Sequence, residues 1–233
     1  MLKHIPNFLT CCNLLCGCIG IIAAFDHNLM LAAYFIWIGG VFDFFDGFAA
    51  RLFKGNSELG KQLDSLADVV TFGVLPGMIV FHLIKQSDSF NFQLPLEYIA
   101  LIIPAFSALR LAKFNIDTRQ TEDFIGLNTP ANAFFFSSFP LLLHDDVLGV
   151  SFLLTDYRFL IVVAIVFSFL LLTEIRIFGL KFKDFSWEKN KIRFIFLLSS
   201  LLLLIIFKHG AIPLIIILYI TLSLIQQLLI KRT

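Results

Sequence analysis

The chain has 233 residues, of which 58% are hydrophobic and only 15% charged, with 29 Phe against 2 Trp and 4 Tyr. Soluble domains carry about a quarter of their residues as Asp, Glu, Lys and Arg, so lipid is the main solvent here, and a water-soluble globule and a disordered chain are both excluded. A formal net charge of +1 removes nucleic acid as a bulk electrostatic partner and leaves the placement of charge as the informative quantity.

A helix needs roughly 20 apolar residues to cross about 30 Å of hydrocarbon. On that ruler, helices are predicted at about 8–26, 29–53, 60–84, 96–115, 130–148, 157–178, 193–208 and 211–230. The fold class is therefore all-α, a polytopic integral membrane bundle of about eight transmembrane helices. The first segment follows Lys3 as a signal peptide would, but it lacks a small-residue cleavage site and further spans follow at once, so it is read as a retained helix. It holds all four cysteines, Cys11, Cys12, Cys16 and Cys18, with no His among them; these are read as small packing residues rather than zinc ligands. Turn and polar residues punctuate the connectors at Asp26-His27-Asn28, Lys54 to Ser57, Gln86 to Pro95, Asn115 to Thr129 and Lys208-His209-Gly210.

Orientation follows from Lys and Arg. With the N-terminus cytoplasmic, the inside set holds 15 of them and only Lys85, Arg158 and Lys208 fall outside. Both termini are thus expected in the cytoplasm. No internal repeat or linker divides the chain, so residues 1–233 are read as one transmembrane domain, with a core over about 5–178 and additional helices over about 193–230. The last two hold no acid in their apolar runs and suit scaffold, lipid-facing wall or the surface of a homodimer.

Acids are costly in hydrocarbon unless paired, hydrated or bound to a cation. Asp43 and Asp46 fall near one end of the second helix, and Asp64 and Asp68 near the start of the third. At about 100° per residue, each pair presents its carboxylates on one helix face, and a hairpin through residues 54–59 brings the faces together. Four carboxylates in one place call for divalent cations, and hard oxygen donors suit Mg²⁺ or Mn²⁺ better than Zn²⁺. The competing structural reading pairs these acids with Arg51, Lys54 and Lys61 as helix-end salt bridges, which accounts for one or two acids but not four. Gly47 and Gly60 sit beside the acids, where a missing Cβ admits a ligand or a neighbouring helix.

The stretch DFFDGFAARLFKGNSELGKQLDSLAD, residues 43–68, resembles the signature of CDP-alcohol phosphotransferases at each of its eight fixed positions: Asp43, Asp46, Gly47, Ala50, Arg51, Gly60, Asp64 and Asp68. The resemblance implies transfer of a substituted phosphate from a CDP-activated group to an alcohol, with release of CMP, at a site holding two divalent ions. It further implies that Asp43, Asp46 and Asp64 hold the metals. Asp68 would complete the site and serve as the base for the acceptor hydroxyl, while Gly47, Ala50, Arg51 and Gly60 line the CMP pocket. Thr10 and Asn13, near one another on the first helix, are expected to face the nucleotide, or to make interhelical hydrogen bonds.

Three further segments narrow the group. SALRLAKFN (107–115), FIGLNTPANA (124–133) and IPNFLTCCNLLCG (5–17) resemble the membrane-integral phosphatidylserine synthases, except that Lys113 stands where Arg is frequent and Asn128 where Pro is frequent. That group implies CDP-diacylglycerol and L-serine as substrates, taken from the bilayer and the cytoplasm respectively. Serine is a zwitterion, so Arg110 with Lys113 is the candidate for its carboxylate, and Asn115, Asn128 and Thr129 are candidates for its ammonium. Two rivals remain: the same chemistry on glycerol 3-phosphate or an inositol compound, and a transporter or divalent-cation channel using the acids as an ion path. The five histidines are scattered without ligand spacing, and the basic loop from Arg176 to Arg193 suits anionic headgroups.

Overall fold

The structure is a computed structural model and describes residues 4–53, 57–87, 95–117, 124–180 and 186–230. The connector residues 54–56, 88–94 and 118–123, which include Lys54 and Arg119, lie outside the described residues, as does 181–185 in the basic loop.

Helix α1 (Ile5–Phe25) and helix α2 (Leu29–Leu52) form a tight hairpin. His27, at φ 59°, turns the chain between them, and Asn28 caps α2 by accepting from Leu31 N at 3.0 Å. The next stretch, Glu58–Lys85, is helical for 28 residues but not uniform. It comprises α3 (Glu58–Asp68), a π-helical segment at Val69–Val74 and α4 (Leu75–Lys85). Ser57 caps its start through Gly60 N at 3.0 Å. The uninterrupted helix expected at 60–84 is therefore widened just after Asp68, and packing explains the position. The Thr71 hydroxyl donates to the Asn13 carbonyl of α1 at 2.9 Å. A Cβ on Gly17 would lie 2.5 Å from Thr71 Oγ1, and one on Gly39 would lie 2.5 Å from Thr71 Cγ2. Glycines on α1 and α2 thus let the π segment wedge between them, the small-residue packing expected of helices in lipid.

A 3₁₀ turn at Leu96–Leu101 leads into α5 (Ile102–Ile116). Helix α5 closes on the π segment and α4 where side chains are small: a Cβ on Gly73 would lie 3.0 Å from Ser107 Cβ, and one on Gly77 would lie 2.8 Å from Pro104 Cδ. One helical turn beyond Ser107 this contact delivers Arg110 to the interior. Strand β1 (Phe124–Ile125), α6 (Thr129–Asp145), the short α7 (Ser151–Leu154) and α8 (Tyr157–Leu172) follow. Phe135 of α6 stacks on Phe167 of α8 at 3.8 Å between ring centroids, and Phe136 and Phe139 complete the aromatic contact. Strand β2 (Arg176–Ile177) pairs antiparallel with β1, Phe124 opposite Ile177. Helices α9 (Trp187–Phe207) and α10 (Ala211–Ile230) end the described chain.

The protein is all-α apart from that two-residue pairing, and polytopic. Among the described residues, five stretches are long and apolar enough to cross a membrane: Ile5–Phe25, Leu29–Leu52, Glu58–Lys85, Leu96–Ile116 and Asn190–Leu229. The last is bent at Lys208, whose φ of 51° separates α9 from α10. Helices α6 and α8, at 17 and 16 residues, are shorter than the spans expected at 130–148 and 157–178. The chain leaves α8 at Leu172 because residues 173–177 turn back to pair with β1.

Candidate active site

Helix α2 carries Asp43 and Asp46, and α3 carries Asp64 and Asp68. Asp43, Asp64 and Asp68 come together beside α1, each offering a carboxylate oxygen within 4.8 Å of the others. Like charges at that separation repel by roughly 3–4 kcal/mol per pair at an effective dielectric near 20. Among the described residues neither Arg51 nor Lys61 forms an ion pair with any of the four aspartates, so the helix-end salt bridges do not form there. A hard divalent cation fits this all-oxygen set. Asp46 stands beside the triad rather than in it. Its Oδ2 accepts from the Thr10 hydroxyl at 2.7 Å, and the same hydroxyl lies 3.0 Å from the Pro6 carbonyl.

Helix α1 also holds Asp68, whose Oδ1 accepts from Asn13 Nδ2 at 3.3 Å. Asn13 is fully buried, and its own carbonyl is the acceptor for Thr71. One residue therefore ties the last aspartate to the π segment directly after it. Thr10 and Asn13, expected at the nucleotide, are the two α1 side chains that orient carboxylates.

Beside the triad opens a cavity of about 460 Å³. Thr10, Asp46, Gly47, Ala50, Gly60 and Asp64 line it, as does a second group not expected at the nucleotide: Pro6, Asn7, Ser57, Glu58 and Lys61. A Cβ on Gly47 would meet nothing within 4 Å, so that glycine faces open space. Gly60 is crowded instead, with Asn7 Oδ1 3.0 Å and Ser57 Oγ 3.1 Å from where its Cβ would be. Arg51 is exposed and is not among the residues lining the cavity. The extra lining residues sit within three residues of Gly60 or about one turn before Thr10, and for all but Pro6 their polar character was the available signal.

A smaller cavity of about 60 Å³ is lined by Arg110, Lys113 and Asp117 of α5 and its end, by Ile125, and by residues 171–174 at the end of α8. Backbone bonds build its far wall. Leu127 N donates to Leu170 O at 2.9 Å and Gly126 N to Ile175 O at 2.8 Å. Gly126 has φ 76°, and a Cβ there would lie 2.5 Å from the Leu171 carbonyl, so only glycine permits the approach. Arg110 is 7% exposed. Its Nη1 donates to Thr129 Oγ1 at 3.3 Å, its guanidinium lies 5.3 Å from the Phe114 ring centroid, and its Nε has no hydrogen bond among the described residues.

The three candidate ammonium acceptors each make hydrogen bonds within the protein. Asn128 caps α6, accepting from Ala131 N at 2.8 Å; Thr129 accepts from Arg110; and Asn115 donates to Ser65 Oγ at 2.8 Å while its carbonyl accepts from Lys61 Nζ at 2.9 Å. None of the three lines either cavity. Asn132, one turn into α6, was missed: it is fully buried, with neither amide atom hydrogen-bonded among the described residues. An amide inside an apolar helix, at position 132, was the signal available for it.

The site thus combines a carboxylate triad able to hold a cation, a large cavity beside it and a small mixed-charge cavity at α5. A family model described as CDP-alcohol phosphatidyltransferase matches residues 3–170. The chain is 36% identical over 160 residues to the CDP-diacylglycerol–serine O-phosphatidyltransferase of Bacillus subtilis (strain 168), covering 66% of this chain and 88% of that protein. It is 34% identical over 130 residues to the Helicobacter pylori (strain J99) protein of the same name, covering 55% of this chain and 53% of that one, so it spans about half the length of that relative. It is 29% identical over 164 residues to the archaetidylserine synthase of Methanothermobacter thermautotrophicus, covering 69% of this chain and 68% of that protein.

Proposed function

Since the chain belongs to the CDP-alcohol phosphatidyltransferase family, we propose that it transfers the phosphatidyl group of CDP-diacylglycerol to the hydroxyl of L-serine, yielding phosphatidylserine and CMP. The observation that carries this reading is the Asp43, Asp64 and Asp68 triad at the edge of a cavity large enough for a nucleotide. These three aspartates, with Asp46 alongside, would hold Mg²⁺ or Mn²⁺, and two such ions would neutralise the diphosphate and stabilise departing CMP.

The protein's own residues do the rest. Gly47, Ala50 and Gly60 line the nucleotide cavity, and Gly47 leaves room for the diphosphate to approach the backbone. Thr10 holds Asp46 and Asn13 holds Asp68 in fixed rotamers. The serine Oγ forms a bond to the phosphorus bearing diacylglycerol, the bond from that phosphorus to the bridging oxygen breaks, and the oxygen leaves on CMP with the electron pair. The hydroxyl proton passes to Asp68, whose second oxygen is not taken by Asn13, and then to solvent. Arg110 and Lys113 hold the serine carboxylate in the smaller cavity, and Thr129 orients Arg110. Arg51, outside the cavity lining, is assigned to the approach of the charged headgroup.

In this reading residues 1–233 form one domain of eight spans, α9 and α10 adding to the catalytic core as scaffold or homodimer surface. The 15 to 3 bias of Lys and Arg supports cytoplasmic termini and a cytoplasmic active site, with the lipid donor entering sideways from the bilayer. Family membership makes the chain a transferase, so the transport alternative is set aside. The test is CMP release by purified protein given CDP-diacylglycerol, Mn²⁺ or Mg²⁺, and one acceptor at a time. Release with L-serine is expected; release with glycerol 3-phosphate or an inositol compound but not serine would overturn the acceptor assignment.

A further inference from the structure

Building on the serine reading, we infer that the 60 Å³ cavity is a zwitterion site in which Glu174 receives the acceptor's ammonium opposite the Arg110 and Lys113 cations. The lining carries both signs of charge from different elements. Arg110 and Lys113 stand one turn apart on α5, Asp117 follows at the end of that helix, and Glu174 comes from the turn after α8. Burial grades them: Arg110 is at the buried end, Asp117 is half-buried, and Lys113 and Glu174 are exposed at the mouth. Arg110 Nε has no hydrogen bond and Glu174 no ion-pair partner among the described residues. Both signs of charge around one small space suit a ligand that brings both complements.

Size and charge select among acceptors. A water-sized atom needs roughly 10–15 Å³ of such space, so the cavity seats about four to six non-hydrogen atoms. That accommodates the carboxylate, Cα and ammonium of an amino acid, with its hydroxymethyl group left free to reach the reacting phosphorus. The phosphate of a phosphorylated acceptor would face the Glu174 carboxylate there. Glu174 also lies beyond residue 170, where the family match ends, as expected for a contact that distinguishes one acceptor from another. The amide and hydroxyl candidates for the ammonium, Asn115, Asn128 and Thr129, do not line this cavity.

The test uses the purified full chain and follows CMP release. Wild-type turnover with glycerol 3-phosphate and not serine would overturn the underlying acceptor reading before any variant is made. Given serine turnover, Glu174→Gln should raise the serine KM about tenfold while kcat and the CDP-diacylglycerol KM stay within twofold, and Glu174→Asp should bring the serine KM back to within about threefold of wild type. A serine KM within twofold of wild type in Glu174→Gln would overturn the assignment alone. A parallel fall in kcat and thermal stability, not relieved by Glu174→Asp, would also overturn it by marking Glu174 as structural.

Discussion

Gly39→Ala should cripple the enzyme through a contact that touches no substrate. The new Cβ would sit 2.5 Å from Thr71 Cγ2 and 3.0 Å from Asn13 Oδ1. Ordinary carbon contacts begin near 3.5 Å, so α2 and the π segment must part by about 1 Å. Thr71 holds the Asn13 carbonyl at 2.9 Å, and Asn13 holds Asp68 at 3.3 Å, so the displacement reaches the proposed base. Overpacking of this kind costs about 1–3 kcal/mol of stability, and a shift of about 1 Å in a catalytic group costs on the order of 10²-fold in rate. The same geometry prescribes the rescue. Thr71→Ser removes Cγ2 and keeps the hydroxyl, so the Gly39→Ala/Thr71→Ser double variant should return to within about threefold of the Thr71→Ser rate. Gly17→Ala should resist that rescue, because its Cβ meets Thr71 Oγ1 at 2.5 Å and the Thr71 backbone at 2.9 and 3.0 Å. CMP release and thermal unfolding, measured across both double-mutant cycles, decide the matter. Full activity in Gly39→Ala, or equal rescue of the two glycine variants, would refute the reasoning.

Thr10→Val removes the hydroxyl that Asp46 accepts and should lower kcat by roughly tenfold or more, with a stability loss of up to about 1.5–3 kcal/mol, the range for a hydrogen bond to a charged group, read in thermal unfolding. Asn128→Ala should cost about 1 kcal/mol of stability through the lost α6 cap, seen in thermal unfolding, while leaving the serine KM within twofold; a large KM change would instead return Asn128 to the acceptor site. Arg110→Lys keeps the charge but loses the fork held by Thr129, and should raise the serine KM at least tenfold with the CDP-diacylglycerol KM unchanged.

Much of the architecture is legible in the residues because lipid as solvent leaves few options. Scarcity of charge exposes the apolar runs, and the spacing of Asp43, Asp46, Asp64 and Asp68 places their carboxylates on two facing helix surfaces. The π segment is not legible in the same way. Its cause is tertiary, the wedge of Thr71 against Gly17 and Gly39, and no local pattern at 69–74 encodes it. The division of the four acids into a triad plus Asp46 also depends on a partner 36 residues away, Thr10. The role of Asn128 was readable: Asn followed by Thr-Pro is a helix cap with proline in the first turn, a stronger local signal than a polar residue awaiting a ligand. Glu174 was hidden because the span predicted at 157–178 runs past the end of α8 and places it within a helix, whereas the β1–β2 pairing turns the chain so that Glu174 lines the cavity Arg110 also lines.

The measurement closest to the central claim compares wild type with Asp64→Asn, purified in the same detergent and matched for thermal unfolding, for Mn²⁺ binding and for CMP release from CDP-diacylglycerol and L-serine. The account predicts a folded variant with weakened Mn²⁺ binding and turnover at least 10³-fold below wild type, since one of three convergent carboxylates is lost. Near-normal CMP release by that variant would contradict it.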